Sequence, residues 1–446
     1  MNRIEAEDFV YKSYLKAEKY QKYEDKDSEK RNPGLSKDVL WKMCTTPSVV
    51  ITGSKGKGSV ANMISQILQT QIKVGLLTSP HIINFCERFK VNGIDISDSD
   101  FVRHMESIAP VFEEIDMSIP SNVCISPMAI QVALGLSYFN EQQTDFNILE
   151  CGKGAKYDDV NNVKHDYAVI NSIFLEHTRE LGDTVEKIAL DKSHVITGDQ
   201  KCVYVAEQKS EVINVIKERA KSYNTAIKIY GQDFWAQNIQ FTNAGMMFDV
   251  VIENTIYKDI IVPLLGEHQA KNCALALALA KDVLEGLNMT DVKNNLLKLD
   301  WPGRMEVLNQ NPFILLDACI NRESCESVKR VINHLNLGKV TVIIGIPDDK
   351  DFLGVAMSMH DVSNYTILTK SQNPHYKFSE DQKKIIEKQG YIVDWMPNIN
   401  EALKIAINKK EPIVILGTTS VIAEVKIIQR QREHSVIWGH LHNRVD

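Results

Sequence analysis

The sequence predicts an α/β protein with a larger parallel sheet followed by a smaller one, and three observations predict it. Short apolar runs alternate with stretches of helical periodicity along most of the chain. One such run, residues 49–51, ends in the glycine-rich loop Gly53-Ser54-Lys55-Gly56-Lys57-Gly58-Ser59, and helical spacing begins at once with Val60, Met63, Ile64, Ile67, Leu68 and Ile72. A shorter set of strand–helix repeats follows Trp301-Pro302-Gly303. The expected division is therefore a first domain over residues 1–297 and a second over 298–446.

A chain of 446 residues is too long for one hydrophobic core, which agrees with two domains. Its net charge of −7 argues against a general nucleic-acid binder, because phosphate backbones require a basic surface. No apolar run is long enough to cross a bilayer, so no membrane partner is expected. Residues 1–30 carry many Glu, Asp and Lys and lack the apolar centre of a signal peptide. The eight cysteines are scattered with no C-x-x-C pair, the pattern of free buried thiols in a reducing cytoplasm.

Taken in order, residues 1–47 read as helical, with a solvated charge run from Glu24 to Arg31, a break at Asn32-Pro33-Gly34 and a short helix over 35–43. The strand–loop–helix at 49–72 turns backbone N–H groups and a helix N-terminus toward one point, which suits a nucleotide phosphate. Lys57 would reach the outer phosphates and the Ser59 hydroxyl would sit on their magnesium ion. The glycine spacing is one residue shorter than the standard phosphate loop. Residues 74–78 form a second buried strand ending in Ser79-Pro80-His81, and a turn falls at Asn92-Gly93. Residues 145–151 form a third, and Glu150 at its C-terminal end is placed as a magnesium ligand facing the loop. Residues 167–173 read as a strand, 185–192 as a helix, and 201–265 as strand-rich. Leu265-Gly266-Glu267-His268 opens a long alanine-rich helix. In the second domain, strands are expected at 314–317, 340–345 and 413–417. The histidines of the tail, His434, His440 and His442, read as a plain polar end.

The phosphate loop, then Thr78-Ser79-Pro80-His81, then Phe85, Glu87, Arg88, Asn92, Gly93, Ile96 and Ser97, resembles folylpolyglutamate synthase and dihydrofolate synthase. These are members of the Mur ligase superfamily of ATP-dependent amide ligases. The resemblance continues through Glu150, Gly152, Gly154, Asp158 and Asn161, then His177, Leu181, Gly182, Thr184, Ile188, Ala189 and Lys192, then His268, Gln269 and Asn272. It implies a Mur ligase-like architecture: a central ATP-binding domain with a parallel sheet and a smaller Rossmann-like C-terminal domain. It implies Ser59, Ser79, Glu150 and His177 as metal ligands, and Lys192 as the lysine that relatives carbamylate. By the same resemblance Asn272 contacts adenine, Arg304 and Asp317 meet ATP, and Lys57, His177, Lys192 and Arg304 serve catalysis. The implied reaction activates a carboxylate as an acyl phosphate with ATP and Mg2+ and joins it to an amino acid or amine, in a monomer whose domains close on the nucleotide. The sequence departs from the family pattern at Ala155, Lys156, Ile320 and Ser126-Pro127-Met128-Ala129. The alternatives are a related ligase acting on a non-folate carboxylate and a nucleotide-binding homologue without catalysis; a plain phosphate-loop ATPase or kinase does not account for Thr78-Ser79-Pro80-His81.

Overall fold

The computed structural model describes residues 1–20, 31–242 and 244–433. The expected charge run falls largely outside them, at 24–30, as does the histidine-bearing tail, 434–446. The chain divides into two units. The first comprises Met1–Ile239, Met247–Ile261 and His268–Leu299. The second comprises Gln240–Met246, Val262–Glu267 and Asp300–Asp446, of which residues up to 433 are described.

The first unit is built on an eight-stranded sheet. Its strands are β1 (Ser48–Thr52), β2 (Val74–Leu77), β3 (Phe89–Val91), β4 (Ile94–Asp95), β5 (Phe146–Glu150), β6 (Tyr167–Ile170), β7 (Cys202–Val205) and β8 (Ile227–Ile229), in the spatial order β4-β3-β2-β5-β1-β6-β7-β8. The central pairs β2–β5, β5–β1, β1–β6, β6–β7 and β7–β8 are parallel, and β3 and β4 add an antiparallel edge. β1 is buried at every position and carries Val49, Val50 and Ile51 rather than an alternating pattern, as a strand covered by helices on both faces must. Ile51 stands opposite Glu150 and Thr52 opposite Ile170, so the chain leaves β1, β5 and β6 along one edge. In parallel sheets that edge is where ligands are held.

The helix after β1 spans Lys57–Leu68 and buries Val60, Met63, Ile64, Ile67 and Leu68. Ile72 lies beyond its end, because Gln69, Thr70 and Gln71 close a turn there. The region expected to be strand-rich also holds a helix, Ser210–Ser222, whose buried Val212, Ile216 and Ala220 recur every four residues. A three-stranded sheet of β9 (Phe234–Thr242), β10 (Gly245–Ile252) and β11 (Thr255–Val262), in the order β11-β10-β9, follows. The alanine-rich helix runs Glu267–Val283.

The second unit holds β12 (Glu306–Gln310), β13 (Phe313–Asp317), β14 (Val340–Gly345), β15 (Ser363–Thr369), β16 (Asp394–Met396) and β17 (Ile413–Gly417), in the order β12-β13-β17-β14-β15-β16. All its pairs are parallel except β12–β13. It has its own core of Leu315, Val328, Val342, Ile344, Leu368, Val414 and Leu416. Among the described residues no helix is long and apolar enough to cross a membrane.

Candidate active site

Residues Gly53 to Gly56 leave β1 as a loop whose shape depends on two glycines. Gly53 has φ +144°, and a Cβ there would meet Asn171 Cβ at 2.8 Å. Gly56 has φ +75°, and a Cβ would meet Asn171 Nδ2 at 2.5 Å and the Asn272 amide at 3.2 Å. The loop therefore lies flat on two asparagine side chains, which also bond each other, Asn171 Nδ2 donating to Asn272 Oδ1 at 3.3 Å. Asn272 is held in turn by donating to Gln269 Oε1 at 3.1 Å. The Ser54 N–H donates to Ser172 O at 2.9 Å and ties the loop to the exit of β6.

Gly56 is the N-cap of the helix Lys57–Leu68, and among the described residues no side chain caps it. Helix starts leave their first N–H groups without intrahelical acceptors and carry partial positive charge, so this one is built to receive an anion. Lys57 Nζ donates to Gly53 O at 3.0 Å, and Lys192 Nζ donates to the same carbonyl at 2.9 Å. Lys192 is buried and pairs with Glu176 at 3.2 Å. Burial, then the charge of Lys57, lowers its pKa, while Glu176 opposes the shift. Lys55 and Gly58 complete the loop, and among the described residues the Lys55 side chain makes no hydrogen bond.

The neighbouring strand ends supply the acid. The Ser79 N–H after β2 donates to Glu150 Oε2 at 3.0 Å, which sets the Glu150 carboxylate beside the residue that continues Thr78-Ser79-Pro80-His81. Ser59, in the first turn of the helix, is buried. His177 has φ +46° and begins the short helix Thr178–Leu181. It keeps an exposed surface, and its pKa is lowered chiefly by desolvation, with Glu176 and Glu180 opposing and Lys153 and Lys192 adding. Behind this group, Asp191 Oδ1 accepts from Ala155 N at 2.8 Å, and Asp158 Oδ2 accepts from Gly152 N at 2.9 Å. Among the described residues no three His, Cys, Asp or Glu side chains gather into a metal-holding group. The expected set of Ser59, Ser79, Glu150 and His177 draws most of its donors from oxygen, which suits a magnesium ion that keeps phosphate and water oxygens in its shell.

The structure thus brings Lys57 and Lys192 onto the Gly53 carbonyl, with Glu176 paired to Lys192, and the Ser79 N–H onto Glu150. Asn272 lies beneath the loop. Arg304 and Asp317 belong to the second unit: Arg304 Nη1 donates to Gly303 O at 3.2 Å, and Asp317 Oδ2 accepts from Met305 N at 2.9 Å. Two arrangements were not read from the sequence, although His81 and Arg88 each stand in its motifs. Asn171 is the shelf under both glycines, yet it stands as one polar residue at a strand end. The His81–Arg88 contact, Nε donating to Nδ1 at 2.9 Å, joins residues across a short 3-10 turn, Phe85–Arg88. Burial, then the charge of Arg88, holds the His81 ring down at about 4.

The Mur ligase middle domain family matches residues 51–280. The dihydrofolate synthase/folylpolyglutamate synthase of Bacillus subtilis is 27% identical over 386 residues, covering 84% of this chain and 89% of that protein. A probable bifunctional folylpolyglutamate synthase/dihydropteroate synthase of Halobacterium salinarum is 30% identical over 315 residues; the match takes in 70% of this chain and 38% of that longer protein. Among solved structures, Mycobacterium tuberculosis folylpolyglutamate synthase complexed with ADP and AMPPCP superposes with a TM-score of 0.83 at 23% identity, over 89% of this chain and 94% of that one.

Proposed function

This chain belongs to the Mur ligase family, and we propose that it is an ATP-dependent amide ligase of the folylpolyglutamate synthase type, joining a folate-type carboxylate to glutamate. The observation that carries the reading is the uncapped helix start at Gly56, opening beside Lys57 and next to the strand ends that hold Ser79 on Glu150. Amide formation from a free carboxylate is uphill in water, so the carboxylate oxygen first takes the terminal phosphoryl group of ATP, releasing ADP. The amine nitrogen then attacks the acyl carbon, the C–N bond forms, and phosphate leaves with the bonding pair. Such transfer needs positioning and charge neutralisation more than a protein nucleophile. Gly53 to Ser59 cradle the phosphates, and Lys57 moves from the Gly53 carbonyl to the outer phosphates.

Ser59, Ser79, Glu150 and His177 would hold magnesium, which supplies neutralisation of phosphate charge there. Lys192 is proposed as the site of carbamylation: the lowered pKa favours the neutral amine that adds carbon dioxide. Asn272 as adenine contact, and Arg304 and Asp317 as nucleotide residues, rest on the motif resemblance. The monomeric state and the reducing cytoplasm remain part of the same reading, the latter supported by eight buried cysteines, none of them joined in a disulfide among the described residues.

The test is phosphate release by purified protein with ATP, Mg2+, L-glutamate and either dihydropteroate or a tetrahydrofolate monoglutamate. Release that requires both acid and amine supports the reading. Release from ATP alone, unchanged by either substrate, overturns it.

A further inference from the structure

Arg88 is a largely buried cation whose side-chain hydrogen bonds run to neutral groups. Its Nε donates to His81 Nδ1 at 2.9 Å and its Nη1 to Gln131 Oε1 at 2.6 Å, and the guanidinium lies 4.8 Å over the Phe85 ring. Gln131 is fixed in that orientation because its Nε2 donates to Pro127 O at 3.1 Å. The Thr78 N–H donates to Arg88 O at 3.0 Å, so Arg88 lies against the residue that precedes Ser79. Glu87 folds the segment back by accepting from the N–H groups of Ile82, Ile83 and Asn84 at 2.7, 3.1 and 2.9 Å. The pair is thereby built into the strand-end edge that carries Ser79 and Glu150.

The contact settles a proton position. An arginine Nε always carries hydrogen, so the His81 Nδ1 that receives it presents a lone pair, and the neutral ring holds its proton on Nε2. His81 is then a donor. The Glu150 carboxylate acts on this guanidinium only through its charge, and among the described residues no carboxylate is hydrogen-bonded to it, so its planar fork keeps donors that fit a substrate carboxylate.

We propose that Arg88 and His81 form a two-point donor site for the substrate carboxylate that is to be phosphorylated, Arg88 through its remaining N–H groups and His81 through Nε2–H. Arg88 is at the same time a positioning residue, because it fixes the His81 tautomer. The acid to be activated must lie beside the phosphates, and Arg88 and His81 flank Ser79, whose N–H holds Glu150. The inference rests on the ligase reading above and adds to it the residues that grip the carboxylate.

Two measurements test it. Selective 15N-histidine labelling of the full chain reads the tautomer, with His81→Gln assigning the signal. An unprotonated Nδ1 is expected in the wild type, and loss of that fixed state in Arg88→Met; a protonated Nδ1 in the wild type, or no change in Arg88→Met, overturns the positioning role. In steady state with ATP, glutamate and dihydropteroate, His81→Phe and Arg88→Lys are expected to raise KM for dihydropteroate by roughly 10- to 100-fold, with KM for ATP within about twofold. His81→Gln, whose amide N–H falls near the imidazole Nε2, recovers most of the loss. Equal shifts in both KM values, or equal damage from Gln and Phe, overturn the donor site. A wild-type protein that uses neither folate-type acid removes the ligase reading instead, while the tautomer measurement needs no turnover and still decides the Arg88–His81 contact.

Discussion

Replacing Gly56 by alanine separates the shape of the phosphate loop from the stability of the fold. The residue sits at φ +75°, and the added Cβ would stand 2.5 Å from Asn171 Nδ2. An alanine in left-handed backbone costs about 1–2 kcal/mol. Moving the Asn171 amide aside loses its bond to Asn272 Oδ1, worth about 1 kcal/mol. In the free protein the loop can relax into another conformation, so most of that cost falls on the nucleotide-bound state. At 1.4 kcal/mol per decade, a total of about 2–3 kcal/mol weakens nucleotide binding by roughly 30- to 100-fold. Isothermal titration with AMPPCP reads the dissociation constant, and thermal unfolding of the nucleotide-free protein should move by only a few degrees. In an Asn171→Ala background the collision is absent, and the same Gly56→Ala change should cost only the backbone part, about tenfold. A Gly56→Ala protein that binds AMPPCP within about threefold of wild type refutes the argument that this loop, as folded, is the phosphate cradle.

Three further outcomes are expected. Lys57→Ala should lower substrate-dependent phosphate release by at least roughly 100-fold while leaving the thermal midpoint nearly unchanged, since the fold loses one bond to Gly53 O; wild-type release would take Lys57 out of the chemistry. Glu150→Gln keeps an acceptor for the Ser79 N–H but removes the charge, so the Mg2+ concentration giving half-maximal activity should rise about tenfold, read from a magnesium titration of the rate. Burial holds the Asp159 carboxyl up at about 6, against an unfolded value of 3.8, with the Ser36 hydroxyl donating to it at 2.5 Å. The folded state therefore binds the proton more tightly, and stability falls as pH rises through the window from about 4 to 6. Asp159→Asn should be more stable than wild type at pH 7 by on the order of 2 kcal/mol in urea, with the gain gone by pH 4.

How much of this was legible in the sequence follows from which contacts are local. The phosphate loop could be read because strand, glycines and helix lie within one continuous stretch, and β1 and the helix Lys57–Leu68 appear where the apolar spacing placed them. The place of Glu150 at the end of β5 was legible for a related reason: a carboxylate closing a short apolar run lies at the strand-end edge of a parallel sheet. The helix Ser210–Ser222 was hidden because its polar face, Glu211, Lys217, Glu218 and Lys221, dilutes three buried residues among short strands. Asn171 was beyond reach altogether. Its importance comes from the closeness of Gly53 and Gly56 to its side chain, a fact of three-dimensional packing that no spacing along the chain encodes.

The same packing explains why two lysines meet at a single carbonyl. Before Lys192 is carbamylated, and while it is protonated, two ammonium groups within about 3 Å of one oxygen repel each other, and in a buried setting that repulsion is poorly screened. Glu176 offsets Lys192, which is buried, but among the described residues Lys57 has only a backbone carbonyl as its hydrogen-bonded partner. A polyphosphate arriving at the uncapped helix start would draw Lys57 away, relieve the repulsion on Lys192 and let that lysine keep its bonds to Gly53 O and Glu176. Binding energy therefore comes partly from ending the unfavourable closeness of two lysines at Gly53 O, and an anion too short to reach Lys57 would not collect it. Nucleotides differing only in the number of phosphates should accordingly separate in affinity in wild type prepared free of bicarbonate, with Lys192 unmodified, and converge in Lys57→Ala, where there is no second ammonium to remove.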